Sequence, residues 1–163
     1  MYTEDLLNDF SDIVLIGNAT PTKLPNRIID SFDTVIRFNN YHNFTHPYIG
    51  RKVDLHCSNY LEDVKPTPHK VPHFSPFPNQ PPYQPTLQPN QVFARRWHFT
   101  NRITLASTGL RLCLLLEDIK KPFYYYAFDS FKTPHPGEKE ISNTGHSNEE
   151  LLVISDLNFS HEL

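Results

Sequence analysis

Glycine is scarce in this chain, five residues in 163, and the five are too dispersed to form Gly-x-Gly-x-x-Gly or Gly-x-x-x-x-Gly-Lys. Dinucleotide-binding and P-loop phosphate cradles are therefore disfavoured. Cysteine is scarcer still. Cys57 and Cys113 are too few for a disulfide scaffold and lack the spacing of a zinc site, so two reduced core thiols are expected. No apolar run approaches the roughly 18 residues of a bilayer span, and no basic segment followed by an apolar stretch stands near Met1. The expectation is a cytoplasmic chain, or one peripheral to the inner face of a membrane. Basic residues never concentrate beyond pairs such as Arg95-Arg96 and Lys120-Lys121, and the formal net charge is -3, which argues against a nucleic-acid partner. No Asp-x-Asp is present to hold a metal and a diphosphate, and neither Ser-x-x-Lys nor Gly-x-Ser-x-Gly supplies a nucleophile.

What is present reads as one globular domain over residues 1–163. Hydrophobic residues make up 38% of the chain and charged residues 20%, with a mean hydropathy of -0.50, a composition neither of a membrane protein nor of a disordered tail. Proline is in excess, with fifteen residues, nine of them between Pro66 and Pro89. Proline removes amide donors and restricts φ, so this stretch is predicted to be a long loop outside both helix and sheet. A loop of that length is either a functional lid or a linker, and Phe74, Phe77 and Tyr83 favour partial packing against the body.

Around that loop, short apolar runs alternate with helical patterns. Thr3 can cap a short helix through Asp9, with Leu6, Leu7 and Phe10 on one face. Ile13-Val14-Leu15-Ile16 is continuous and apolar, the pattern of a strand buried on both faces, and it stops at Gly17-Asn18. Ile28, Ile29 and Phe32 suggest a short helical or irregular crossover. Thr34 to Phe38, Val53 to Cys57, Gln91 to Ala94 and Phe123 to Phe128 read as further strands. Ser107-Thr108-Gly109 opens a leucine-rich helix that closes at Lys120-Lys121-Pro122, and Asn148 to Leu157 reads as a last helix. Alternation of this kind predicts an α/β domain with a Rossmann-like, mainly parallel sheet and flanking helices.

Ligands of such sheets bind at the carboxyl ends of the strands. Four polar turns fall there: Gly17-Asn18-Ala19-Thr20, Asn39-Asn40, Cys57-Ser58-Asn59 and Asp129-Ser130. Gly17 permits close backbone approach, and Asn18 and Thr20 offer hydrogen bonds to a phosphate, although strand-Gly-Asn is also an ordinary turn. Ser107-Thr108-Gly109 suits helix capping, the commoner use of such a triplet, and with it a small anion site. His135 and His146 lie in the polar loop before the last helix, where a histidine is either a surface residue or a general base. Tyr124, Tyr125 and Tyr126 read as strand aromatics of the core.

The order of these segments resembles the CMP-sialic-acid-dependent sialyltransferases. Ile13 to Asn18, followed by Ile29 to Asn39 with its Val35-Ile36-Arg37-Phe38-Asn39, resembles their large sialyl motif. Ser107-Thr108-Gly109 with Tyr126-Ala127-Phe128-Asp129 resembles the small motif. Thr144-Gly145-His146-Ser147 and Asn101-Arg102-Ile103-Thr104 are similar to segments of a bacterial sialyltransferase family. The likeness covers about two thirds of the chain and skips the proline segment.

The resemblance implies a single-domain GT-A-like sialyltransferase fold and a nucleotide site. That site would comprise Gly17, Asn18, Ala19, Thr20, Asn39, Asn40, Arg102, Ser107, Thr108, Gly109, Phe128 and Asp129. It implies His146 as general base on an acceptor hydroxyl, with His135 or a nearby tyrosine near the leaving phosphate. The donor would be CMP-sialic acid or a related CMP-sugar, the acceptor a glycan hydroxyl, and the transfer inverting, with no metal and no cofactor. CMP leaves as a monophosphate that hydrogen-bond donors and a helix N-terminus can stabilise. Three departures stand out: Ala127 replaces the family's glycine, Asp12-Ile13 replaces a cysteine of the animal enzymes, and Leu151 falls where a glutamate is usual, with Glu149 and Glu150 just before it. The alternatives are a catalytically inactive nucleotide- or glycan-binding remnant and a plain α/β interaction domain displaying its proline loop.

Overall fold

The computed structural model describes residues 3–19, 26–39, 41, 48–57, 73–75, 91–93, 107–128 and 149–163. In chain order the elements are α1 (Thr3–Asn8), β1 (Ile13–Ile16), α2 (Asn26–Ile29), β2 (Thr34–Phe38), β3 (Leu55–Cys57), β4 (His73–Ser75), β5 (Gln91–Phe93), α3 (Thr108–Asp118), β6 (Phe123–Tyr126), α4 (Glu150–Ser155) and β7 (Ser160–Glu162). The seven strands form one sheet in the order β5-β4-β3-β2-β1-β6-β7, and every pairing is parallel. The mainly parallel expectation thus becomes wholly parallel, a Rossmann-like α/β sheet with flanking helices.

Strand β1 is the axis. Ile13 pairs with Thr34 on one side and with Phe123 on the other, and the registers run in step to Ile16 opposite Arg37 and Tyr126. All four of its side chains are buried, as a strand covered on both faces requires. Ile13 and Leu15 face a core with Leu7, Ile36, Phe38, Leu55 and the α3 and α4 residues Leu110, Leu112, Leu115, Leu116, Val153 and Ile154. Val14 and Ile16 face a second core with Ile29, Phe32, Val35, Ile49 and Tyr126. The consecutive tyrosines divide in the same way: Tyr125 belongs to the first core and Tyr126 to the second. Tyr124 is partly exposed, edge-on to Phe32 and close to His161.

Arg37 belongs to the second face, where it is 3% exposed. Its Nε donates to the Lys52 carbonyl at 2.9 Å and an Nη donates to the Ile49 carbonyl at 2.6 Å. Burial pushes its pKa down to about 10, against the raising influence of Asp30 and Tyr41. Asp30 Oδ1 holds the same loop from the other side, accepting from the Arg51 and Lys52 amides at 2.8 Å each. The arginine of the Val-Ile-Arg-Phe-Asn run therefore fastens the loop that returns the chain to β3.

Two expectations are corrected. The proline segment is not wholly outside the sheet, because β4 lies within it, between β3 and β5. In the sequence the strand holds no proline, so His73, Phe74 and Ser75, the three residues that pair, all carry amides. The second correction is β7, absent from the strands read in the sequence. Its register on β6 pairs Phe123 with Ser160, and the turn before it is held by Glu117, whose carboxylate accepts from the Asn158 and Phe159 amides. No helix among the described residues is long and apolar enough to cross a membrane.

Both cysteines are free and buried. Burial pushes each thiol well above its usual range; the Cys113 thiol adds to the effect at Cys57, and Glu150 adds to it at Cys113. The native chain at pH 8 is therefore expected to leave both thiols unreactive toward a thiol reagent that labels them in urea. Above about pH 8.5 the unfolded chain releases these protons before the folded one, so the folded state binds more protons and stability falls as pH rises. Urea titrations at pH 7.5 and 9.5 check the sign, and a midpoint that rises with pH contradicts it.

Candidate functional site

Because β2 to β5 extend to one side of β1 while β6 and β7 extend to the other, the strand order reverses between β1 and β6. In parallel sheets the crevice at the carboxyl ends of such a strand pair is where ligands bind. Three segments singled out in the sequence meet there. The turn after β1 continues its hydrogen bonding onto β6, with the Gly17 amide donating to the Tyr126 carbonyl at 2.8 Å and the Ala19 amide to the Ala127 carbonyl at 3.0 Å. A Cβ on Gly17 would lie 2.3 Å from the Ala127 oxygen, so only glycine allows the two turns to approach this closely. Asn18 Nδ2 donates to the Phe38 carbonyl at 3.2 Å and joins the turn to the end of β2.

At that end Asn39 has φ +47, a left-handed conformation that asparagine tolerates better than most residues. Its amide donates to the Cys57 carbonyl at 3.0 Å, and its carbonyl accepts from His56 Nε2, a fully buried histidine edge-on to Tyr41. The Asn39 Oδ1 atom is buried and makes no hydrogen bond among the described residues. Buried acceptors of this kind are ordinarily paired, so one left open at a strand end is a feature to be explained.

The third segment is the start of α3. Ser107 is its N-cap, and its Oγ accepts from the Leu110 amide at 3.2 Å. The same hydroxyl donates to Glu150 Oε2 at 2.5 Å, and the Ser107 amide donates to Glu150 Oε1 at 2.6 Å. Glu150 is itself buried, at the first position of α4. The serine expected to hold nucleotide is thus engaged in capping α3 and tying it to α4. The amides of Thr108 and Gly109, in the first turn of α3, have no intrahelical acceptor, and both residues are buried.

Phe128 follows Ala127, whose φ is +58, and lies against both glycine turns. Its ring is edge-on to Phe38 with centroids 5.8 Å apart and to Tyr125 at 6.3 Å. Gly17, Asn18, Ala19, Asn39, Ser107, Thr108, Gly109 and Phe128 are therefore gathered around one end of the sheet. Thr20, Asn40, Arg102, Asp129, His135 and His146 lie outside the described residues. Sequence reasoning passed over the Glu150 carboxylate as a partner of Ser107, since the two are 43 residues apart, and the only signal was an acidic residue at a helix start. Comparison of the chain with known protein families, curated proteins and solved structures gives no match.

Two substitutions test this geometry. Ala127→Gly removes the left-handed penalty at a non-glycine residue and is expected to raise stability by about 0.5–1 kcal/mol in urea; a loss instead shows that the alanine methyl is needed for packing. Glu150→Ala leaves the Ser107 amide and hydroxyl without their acceptor and is expected to cost about 1–3 kcal/mol. A neutral outcome there rules out the carboxylate as the link between α3 and α4.

Proposed function

We propose that the chain is a metal-independent, inverting glycosyltransferase of the sialyltransferase type, which moves sialic acid or a related sugar from CMP to a glycan hydroxyl. The observation that carries this reading is convergence. The Gly17-Asn18-Ala19 turn, Asn39 and the Ser107-Thr108-Gly109 helix start, read in the sequence as parts of two sialyl motifs, occupy one end of a parallel sheet at its reversal point. A GT-A-like single-domain architecture is part of the proposal and is consistent with the parallel sheet.

Each group has a definite chemical use in this reading. The α3 amides at Thr108 and Gly109 suit the CMP phosphate, being donors at the positive end of an eleven-residue helix. Asn39 Oδ1 is an acceptor and suits a ligand donor, a ribose hydroxyl in preference to a phosphate oxygen. His146 is assigned the general base that takes the proton of the acceptor hydroxyl as that oxygen attacks the sugar. His135 is assigned to the leaving phosphate, whose developing charge it would neutralise in its protonated form.

The expected outcome is a rise in melting temperature with millimolar CMP, since a ligand at one hundred times its dissociation constant stabilises by about 2.7 kcal/mol. His146→Ala is expected to abolish release of CMP from CMP-sialic acid in the presence of glycan acceptors while leaving CMP binding intact. No thermal shift with CMP or CDP overturns the proposal. Binding of CMP with no turnover across an acceptor panel selects the non-catalytic alternative.

A further inference from the structure

The two glycines at the reversal point have one neighbour in common. A Cβ on Gly109 would lie 2.7 Å from Phe128 Cε1 and 3.3 Å from Cζ, and a Cβ on Gly17 would lie 2.9 Å from Phe128 Cδ2. These distances are too short for carbon atoms in contact, so the ring edge occupies space that any other residue at 17 or 109 would need. Phe38 and Tyr125 lie edge-on to the ring, and the left-handed Ala127 turns the chain between the end of β6 and Phe128. A planar side chain restrained in this way is a spacer of defined thickness between two backbone turns.

We infer that Phe128 is the positioning residue of the site. Its ring sets the separation between the Gly17–Ala19 turn and the N-terminus of α3, so that both turns reach one ligand only when an aromatic stands at 128 and glycine at 17 and 109. This rests on the nucleotide-binding reading above. It goes beyond that reading in assigning Phe128 no direct contact with the ligand: it acts through the spacing of the two turns.

The test is a cycle of Gly109→Ala, Phe128→Leu and the double variant, with Phe128→Met added, each measured by urea denaturation and by titration with CMP. Gly109→Ala is expected to lower the urea midpoint clearly in the parent chain and much less beside Phe128→Leu, where the methyl enters vacated space. Phe128→Met, which keeps volume but gives up the rigid plane, is expected to retain most of the stability and to bind CMP at least about tenfold more weakly, since small displacements of positioning groups have effects of that order or larger.

An equal effect of Gly109→Ala in both backgrounds overturns the steric coupling. A Met variant that binds CMP as tightly as the parent overturns the positioning role and leaves Phe128 a packing residue only. If the parent chain binds no CMP, the nucleotide reading and the positioning role fall together, while the stability cycle still decides whether the ring couples the two turns.

Discussion

Strand β1 is hydrogen-bonded in parallel on both sides, and most of the architecture follows from that constraint. A parallel neighbour cannot be reached by a tight hairpin, so each pairing demands a crossover, and crossovers deposit chain on the faces of the sheet. Four consecutive apolar side chains in β1 are the counterpart in composition: two face the core under α1, α3 and α4, and two face the core under α2. Because β2 and β6 take opposite sides of β1, the reversal falls at its carboxyl end. The polar turn after Ile16 is thereby placed next to the turn after Tyr126.

Polar groups inside this apolar frame are held by partners distant in sequence. Arg37 is buried and satisfied by two carbonyls of the loop between residues 49 and 52, and Glu150 is buried and satisfied by the amide and hydroxyl of Ser107. Each is a charge that would be costly without its partner, so each also specifies how the segments it joins must sit. At the reversal point the same demand is met sterically, through one aromatic ring and two missing Cβ atoms. Among the described residues, Asn39 Oδ1 is a buried acceptor that makes no hydrogen bond.

Much of this was legible from residues alone, for stated reasons. The apolar run Ile13–Ile16 and the β-branched run Thr34–Phe38 coincide with β1 and β2, since a doubly covered strand leaves no other place for continuous hydrophobicity. Ser107 as cap and the stop before Pro122 bound α3 correctly, because capping and proline chemistry act over a few residues. Strand β4 was hidden because proline density masks a three-residue strand that needs only its own amides. Strand β7 was hidden because Ser160, His161 and Glu162 have no hydrophobic signature and pair through backbone geometry.

The amino-acid sequence by itself determined the class of the domain, the identity of its central strands and the turns that carry polar chemistry. Each of these depends on side-chain periodicity or on local backbone chemistry within a few residues. Only the tertiary structure decided that the reversal lies between β1 and β6, that the Ser107 hydroxyl belongs to Glu150, that Gly17 is a glycine because the Ala127 carbonyl and the Phe128 ring stand against it, and that Gly109 is one because the same ring does. Those outcomes depend on which atoms meet across 19 to 111 residues of chain, and contact at that range is set by packing of the whole sheet.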